Sequence, residues 1–210
     1  MELFDQIAQV VENGDEEETK KLVQQALDNQ EDPLSIIDGA LMKGMGVVGD
    51  KFGKGEMFIP EVMIAAQALQ AGIEIINPHL QEGQRSYIGK VVIGTVAGDI
   101  HDLGKNLVKM MLSANGFEVI DLGVDLPEEK FVEAVEKEKP QILGMSALLT
   151  TTMPEMKKVI DTLQEKGLRD QVQVILGGAP VNQEFADKIG ADLYAEDALE
   201  AVNVLKKVLS

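Results

Sequence analysis

The 210-residue chain contains no cysteine and only two histidines, His79 and His101. Without thiols it has no disulfides and no thiolate metal sites, which suits a reducing cytoplasm. Basic residues are scarce: 19 Lys and Arg stand against 36 Asp and Glu, a formal net charge of −17. Such a surface repels nucleic-acid phosphates and anionic lipid, so no nucleic acid and no membrane is expected as a partner. No uninterrupted apolar run of about 18 residues occurs, and Met1-Glu2-Leu3-Phe4-Asp5 lacks the basic and apolar regions of a signal peptide. A soluble cytoplasmic protein is expected, and 45% apolar content is ample for buried cores.

Residues 1–86 read as helices. Leu3, Phe4, Ile7, Val10 and Val11 follow a helical period that stops at Asn13-Gly14. Asp15 is placed to cap a second helix whose Glu16, Glu17 and Glu18 favour the positive end of its dipole. A third is expected from Asp32-Pro33 to about Phe52, and a fourth from Pro60-Glu61 onward. Short loops and no strand signal indicate a four-helix bundle domain over 1–86, with Gln81 to Ser86 as the linker. Phe52, Met57, Phe58 and Ile59 crowd around a Gly-rich loop, as either a hydrophobic staple or an apolar lid.

Residues 88–210 alternate. Strands are expected at Val91–Ala97, Phe117–Asp121, Gln141–Ser146, Val172–Leu176 and Asp192–Tyr194, each followed by a helix, the later ones Pro127–Glu138, Pro154–Lys166, Gln183–Ile189 and Ala198–Leu209. Parallel strands need crossover helices, so the fold class is α plus α/β: the bundle, then a flavodoxin-like, Rossmann-like five-stranded parallel sheet of order 2-1-3-4-5. In that order the crevice lies between the carboxyl ends of strands 1 and 3. Those ends are Gly98–Gly104 and Ser146–Thr152, and strand 4 adds Gly177-Gly178.

The first loop, Gly98-Asp99-Ile100-His101-Asp102-Leu103-Gly104-Lys105-Asn106, is not a phosphate loop: five residues separate its glycines where that motif has about four, and Asn106 replaces the metal-binding hydroxyl. The dinucleotide glycine pattern is absent, and Ser146 stands where a phosphorelay receiver needs an Asp. What remains is His101 with Asp99 two residues before it and the hydroxyls of Ser146, Thr150, Thr151 and Thr152 in the facing loop. A carboxylate on one ring nitrogen leaves the other free for a metal, and a hydroxyl can orient the carboxylate. One His cannot build a zinc site but suffices for a metal already held by a macrocycle. Spacing alone leaves a second reading open, in which Asp99 or Asp102 caps a helix and His101 is a solvated loop residue.

The run Gly94 to Asn106 closely resembles the Asp-x-His-x-x-Gly motif of cobalamin-binding proteins, and the resemblance extends to Asp121-Leu122-Gly123, Gly144 to Thr150 and Gly177-Gly178-Ala179. Gly46 to Pro60 is similar to the helical cap of the cobalamin module of methionine synthase. The resemblance implies a corrinoid methyl carrier that binds cobalamin or a related cobamide. In it His101 is the lower axial ligand of cobalt, and Asp99 and Thr152 complete the catalytic set. Gly98, Ile100, Asp102, Leu103, Gly104, Ser146, Leu148, Thr150, Gly177, Gly178 and Ala179 bind the cofactor, whose upper face falls to Phe52, Ile59 and Val62. Cobalt as Co(I) would take a methyl group from a substrate:corrinoid methyltransferase. As methyl-Co(III) it would give that group to a methylcorrinoid:acceptor methyltransferase using tetrahydrofolate or coenzyme M, with a reductive activator as a further partner. Methanol, methylamines, betaines and aryl methyl ethers are the donors such systems use. Mutases share the motif but lack the helical cap, and a cobalamin-dependent sensor would need a basic DNA-binding segment that this chain does not have.

Overall fold

The computed structural model describes residues 2–80 and 87–209, so the Gln81 to Ser86 linker lies outside the described residues. The chain divides into two compact units, Met1–Tyr87 with Ser113–Gly116, and Ile88–Leu112 with Phe117–Ser210.

The first unit is helical: α1 (Leu3–Glu12), α2 (Glu16–Asp28), α3 (Pro33–Ile36), α4 (Met42–Gly53) and α5 (Ile59–Ile76). Asp15 accepts the Glu18 amide and Asp32 the Ser35 amide, so each carboxylate satisfies an orphan donor of the first turn. α2 packs on α5 and α1 on α4. Ile7, Val11, Val23, Met45, Val48 and Leu69 are buried between the helices. The expected third helix has a joint: between α3 and α4 the residues Ile37–Leu41 form a π-helical segment. Ile37, Leu41 and Met45 are buried at every fourth position. At about 100° per residue, four residues overshoot a turn by about 40°, and the wider i→i+5 turn takes that overshoot back. Ile59–His79 is long and apolar enough to cross a membrane by length and composition, but 44% of it is buried in the structure.

The second unit is a parallel sheet of β1 (Gly89–Thr95), β2 (Phe117–Asp121), β3 (Ile142–Ser146), β4 (Gln173–Gly177) and β5 (Leu193–Tyr194), in the order β2-β1-β3-β4-β5. Its helices are α6 (Leu103–Ala114), α7 (Glu128–Glu138), α8 (Met153–Glu165), α9 (Gln183–Ile189) and α10 (Ala198–Leu209). The register sets Thr95 beside Ser146 and Ser146 beside Gly177, so three loops leave the sheet at one level. Alternation sends Val92, Leu143 and Val174 into a closed core with Phe131, Val159, Leu163 and Ile189 of α7, α8 and α9. The opposite face, beneath α6 and α10, is not filled.

β1 stops at Thr95, earlier than the apolar run suggests. Val96 makes only an isolated bridge to Leu126, and Gly98, at φ +76°, turns the chain. Pro127 sits at the N-cap of α7 and not inside the helix.

Candidate functional site

Asp99 has no solvent exposure, and every hydrogen-bonding direction of its carboxylate is occupied. Oδ1 accepts the His101 amide at 3.0 Å and lies 2.7 Å from His101 Nδ1. Oδ2 accepts the amides of Leu148 at 2.7 Å and Leu149 at 3.3 Å, and the Thr152 hydroxyl at 2.9 Å. That hydroxyl is also 2.9 Å from the Leu149 carbonyl, but it carries one proton and the charged acceptor is the stronger. Burial pushes the Asp99 carboxyl up; the Leu148 and His101 amides, the His101 ring and the Thr152 hydroxyl outweigh it and hold the carboxyl well below the usual carboxylate range. An ionised carboxylate only accepts, which assigns the shared proton to Nδ1 and leaves the lone pair of the neutral ring on Nε2. The imidazole is half-exposed, its side chain 48% accessible.

The loop carrying this pair is braced by groups that sequence reasoning did not single out. Thr95, fully buried, donates from Oγ1 to the His101 carbonyl at 3.1 Å. Asp125 accepts the Gly98 amide at 2.8 Å and donates its own amide to the Asp99 carbonyl at 2.9 Å. Its φ of +54° is a conformation in which Asp is enriched among non-glycine residues. Behind it, buried Lys105 Nζ sits 2.5 Å from Asp121 Oδ1, which also accepts the Gly123 amide. Burial raises the Asp121 carboxyl, and Lys105, the Gly123 amide and Lys109 outweigh it, leaving it lowered.

Beside His101 opens a cavity of about 710 Å³ in the unfilled face of the sheet. Ile100, His101, Asp102, Leu103, Gly104, Ser146, Leu148, Gly177, Gly178 and Ala179 all line it. Its room comes from small side chains, Gly144, Ala195, Ala198 and Ala201, where a packed face would carry larger ones. Gly178 admits no side chain: at φ +126°, a Cβ would stand 1.9 Å from the Ala147 carbonyl oxygen. Thr150 is exposed and is not among the lining residues. Gly98 lies behind Thr152, its would-be Cβ 3.4 Å from the Thr152 methyl. Phe52, Ile59 and Val62 belong to the helical unit, at the end of α4 and the first turn of α5, where Val62 is buried and Ile59 is partly exposed.

Around the imidazole, Ile100 is 73% and Leu103 85% exposed, with Leu148 at 43% and Leu149 at 40%. Ile100, Leu103 and Leu148 line the cavity with His101, so apolar side chains left this open share its rim with the imidazole. Among the described residues no group of three or more His, Cys, Asp or Glu could hold a metal ion. A single imidazole in an apolar collar, with a deep recess beside it, fits a metal carried by a large apolar ring with a tail.

Comparison with known proteins agrees. A B12 binding domain family matches residues 89–203, and a second B12 binding domain family matches residues 3–77. The trimethylamine corrinoid protein of Methanosarcina barkeri is 43% identical over 100% of this chain and 97% of its own length. The chain belongs to the B12-binding corrinoid proteins. Solved members share the fold. A chain of the methanol:cobalamin methyltransferase complex from Methanosarcina barkeri superposes with a TM-score of 0.87 at 39% identity, covering 99% of this corrinoid-family chain and 79% of that one. A cobalamin-binding protein from Desulfitobacterium hafniense gives a TM-score of 0.76 at 33% identity, covering 99% and 98%.

Proposed function

We propose that this chain is a methyl carrier, receiving a methyl group from one methyltransferase and delivering it to another on a bound corrinoid. The observation that carries this reading is the Thr152–Asp99–His101 chain, which ends in His101 Nε2 beside a cavity and an apolar collar. When bound, the corrinoid supplies a cobalt centre that accepts and releases methyl groups, dividing one difficult transfer into two easier ones.

The protein's part is to hold and poise. Thr152 and the Leu148 and Leu149 amides fix the Asp99 carboxylate, Asp99 fixes the imidazole tautomer, and His101 Nε2 is the atom that would hold the cobalt. The braces from Thr95 and Asp125 keep the loop from swinging under that load. Ile100, Leu103, Leu148 and Leu149 would exclude water around a bound metal, and the cavity would receive the cofactor's nucleotide end. The partners are a substrate:corrinoid methyltransferase and a methylcorrinoid:acceptor methyltransferase, with a reductive activator restoring the carrier after accidental oxidation. Relatives named for trimethylamine and dimethylamine, and a structural neighbour in a methanol complex, make methylated amines and methanol the first donors to assay.

The deciding experiment loads the full chain with cobalamin and records the cobalt(II) electron paramagnetic resonance spectrum. An axial nitrogen coupling is expected that changes on labelling histidine with nitrogen-15 and vanishes in His101→Ala. A spectrum indifferent to both overturns the ligand assignment.

A further inference from the structure

The cavity beside His101 changes character with depth. Its mouth, at the carboxyl ends of the strands, carries Ser146, Glu196 and Asp197. Farther in, down α6 and α10 and toward the amino ends of the strands, the wall is made of Val91, Leu112, Ile175, Ala201 and Leu205. Among the described residues Lys105 is the one Lys or Arg lining it, and its Nζ is already taken by Asp121 at 2.5 Å and Asn106 at 3.1 Å. Among the described residues, no buried side-chain nitrogen or oxygen lacks a hydrogen-bond partner. The strand backbone at this depth is paired across β1, β3 and β4. A group entering the inner half therefore meets carbon and finds neither donor nor acceptor. Water there would be equally short of partners and could not bridge the deficit.

With His101 on the metal, the cofactor's own base is displaced and needs a recess, and this one offers an aliphatic slot. Resting on the corrinoid-binding reading, we infer that the chain selects its cofactor by the lower base, accepting a flat apolar aromatic without a hydrogen-bonding edge and discriminating against a purine. Adenine brings an exocyclic amine and ring nitrogens that water satisfies and this wall does not. A phenolic base such as p-cresol brings a methyl group that the wall suits. Stranding even one polar group in such a place corresponds to about a tenfold loss in affinity or more.

The test titrates the cofactor-free full chain with p-cresolyl cobamide, adeninyl cobamide and cobinamide, which has no nucleotide, reading affinity by absorbance and equilibrium dialysis. Cresol does not coordinate cobalt and adenine does so weakly, so release of the base from the metal contributes little to the comparison. The p-cresolyl form is expected to bind at least about tenfold more tightly than the adeninyl form, and more tightly than cobinamide. Equal or tighter binding of the adeninyl form overturns the inference, as does cobinamide binding as well as the p-cresolyl form. If cobinamide and both cobamides all fail to bind, the corrinoid-binding reading itself falls.

Discussion

Replacing Asp99 with Asn keeps the side chain's shape but gives five donors one oxygen in place of two. If the new amide NH2 faces Leu148, it strands the Leu148 and Leu149 amides, while the Thr152 hydroxyl can turn and accept. If it faces His101, it strands only the His101 amide, and the ring can adapt by moving its proton to Nε2. The second arrangement leaves fewer orphans and wins. Its cost is about 1–3 kcal/mol for the orphaned amide, with a further loss as charge-assisted bonds become neutral ones. Against a typical domain stability of about 5–15 kcal/mol, the variant still folds. It folds with the wrong tautomer, however, since Nε2 now carries a proton where the lone pair is required. Nitrogen-15 histidine NMR on the cofactor-free chain distinguishes the two: the wild type is expected to be protonated at Nδ1 and Asp99→Asn at Nε2, and urea unfolding reads the stability loss. An Asn variant that keeps the Nδ1 proton, or that matches the wild type in stability, would refute this account of the carboxylate.

Asp99 also sets a pH dependence. Its carboxyl in the fold titrates well below the value of about 3.9 for an unfolded chain. Its contribution is therefore complete at neutral pH and is lost as pH falls below about 5 toward the folded value. Urea midpoints measured from neutrality to acid should fall less steeply in Asp99→Asn, and parallel curves would count against it. Gly178→Ala should abolish folding of the sheet unit, because the methyl meets a carbonyl 1.9 Å away. Gly104→Ala, with nothing within 4 Å of its Cβ, should leave the cofactor-free chain as stable or up to about 1 kcal/mol more so, yet weaken corrinoid binding because Gly104 lines the cavity. Lys105→Met removes a partner from a buried pair and should cost about 3–5 kcal/mol. It should also raise the Asp121 carboxyl, read by carbon-13 titration, whereas an unmoved Asp121 would mean that Lys109, at 3.2 Å, suffices alone.

The strand-loop-helix around His101 was legible because apolar alternation, glycine and a capping-type carboxylate each leave a local mark, and the order 2-1-3-4-5 follows once five strands alternate with helices. The expected strand Val172–Leu176 lies one residue early of β4 at Gln173–Gly177, since Val172 is apolar and Gly177 carries no strand signal. The surroundings of Asp99 were only half legible. A hydroxyl such as Thr152 announces itself, but the Leu148 and Leu149 donors are backbone amides, 49 and 50 residues away, and any residue but proline would supply them. Asp125 escaped for the opposite reason: its side chain is informative, but its role depends on a left-handed backbone that sequence patterns do not display. The cavity was read as glycines passing close to a tail; its breadth comes from alanines in α10, which by themselves look like ordinary helix formers.

The π-helical joint at Ile37–Leu41 bears on how this chain tolerates changes in length. An extra residue housed in a wide turn invites the thought that it is dispensable, since deleting one position would let Pro33–Gly53 run as plain α-helix. Such a deletion turns the i→i+5 turn into an i→i+4 turn and leaves the helix after it nearly in phase. Met45 and Val48 should stay buried, and Lys43 and Asp50 should stay exposed. The joint is where this helix can change length by one residue, so a single-residue deletion within Ile37–Leu41 should be tolerated far better than one inside α2 or α5.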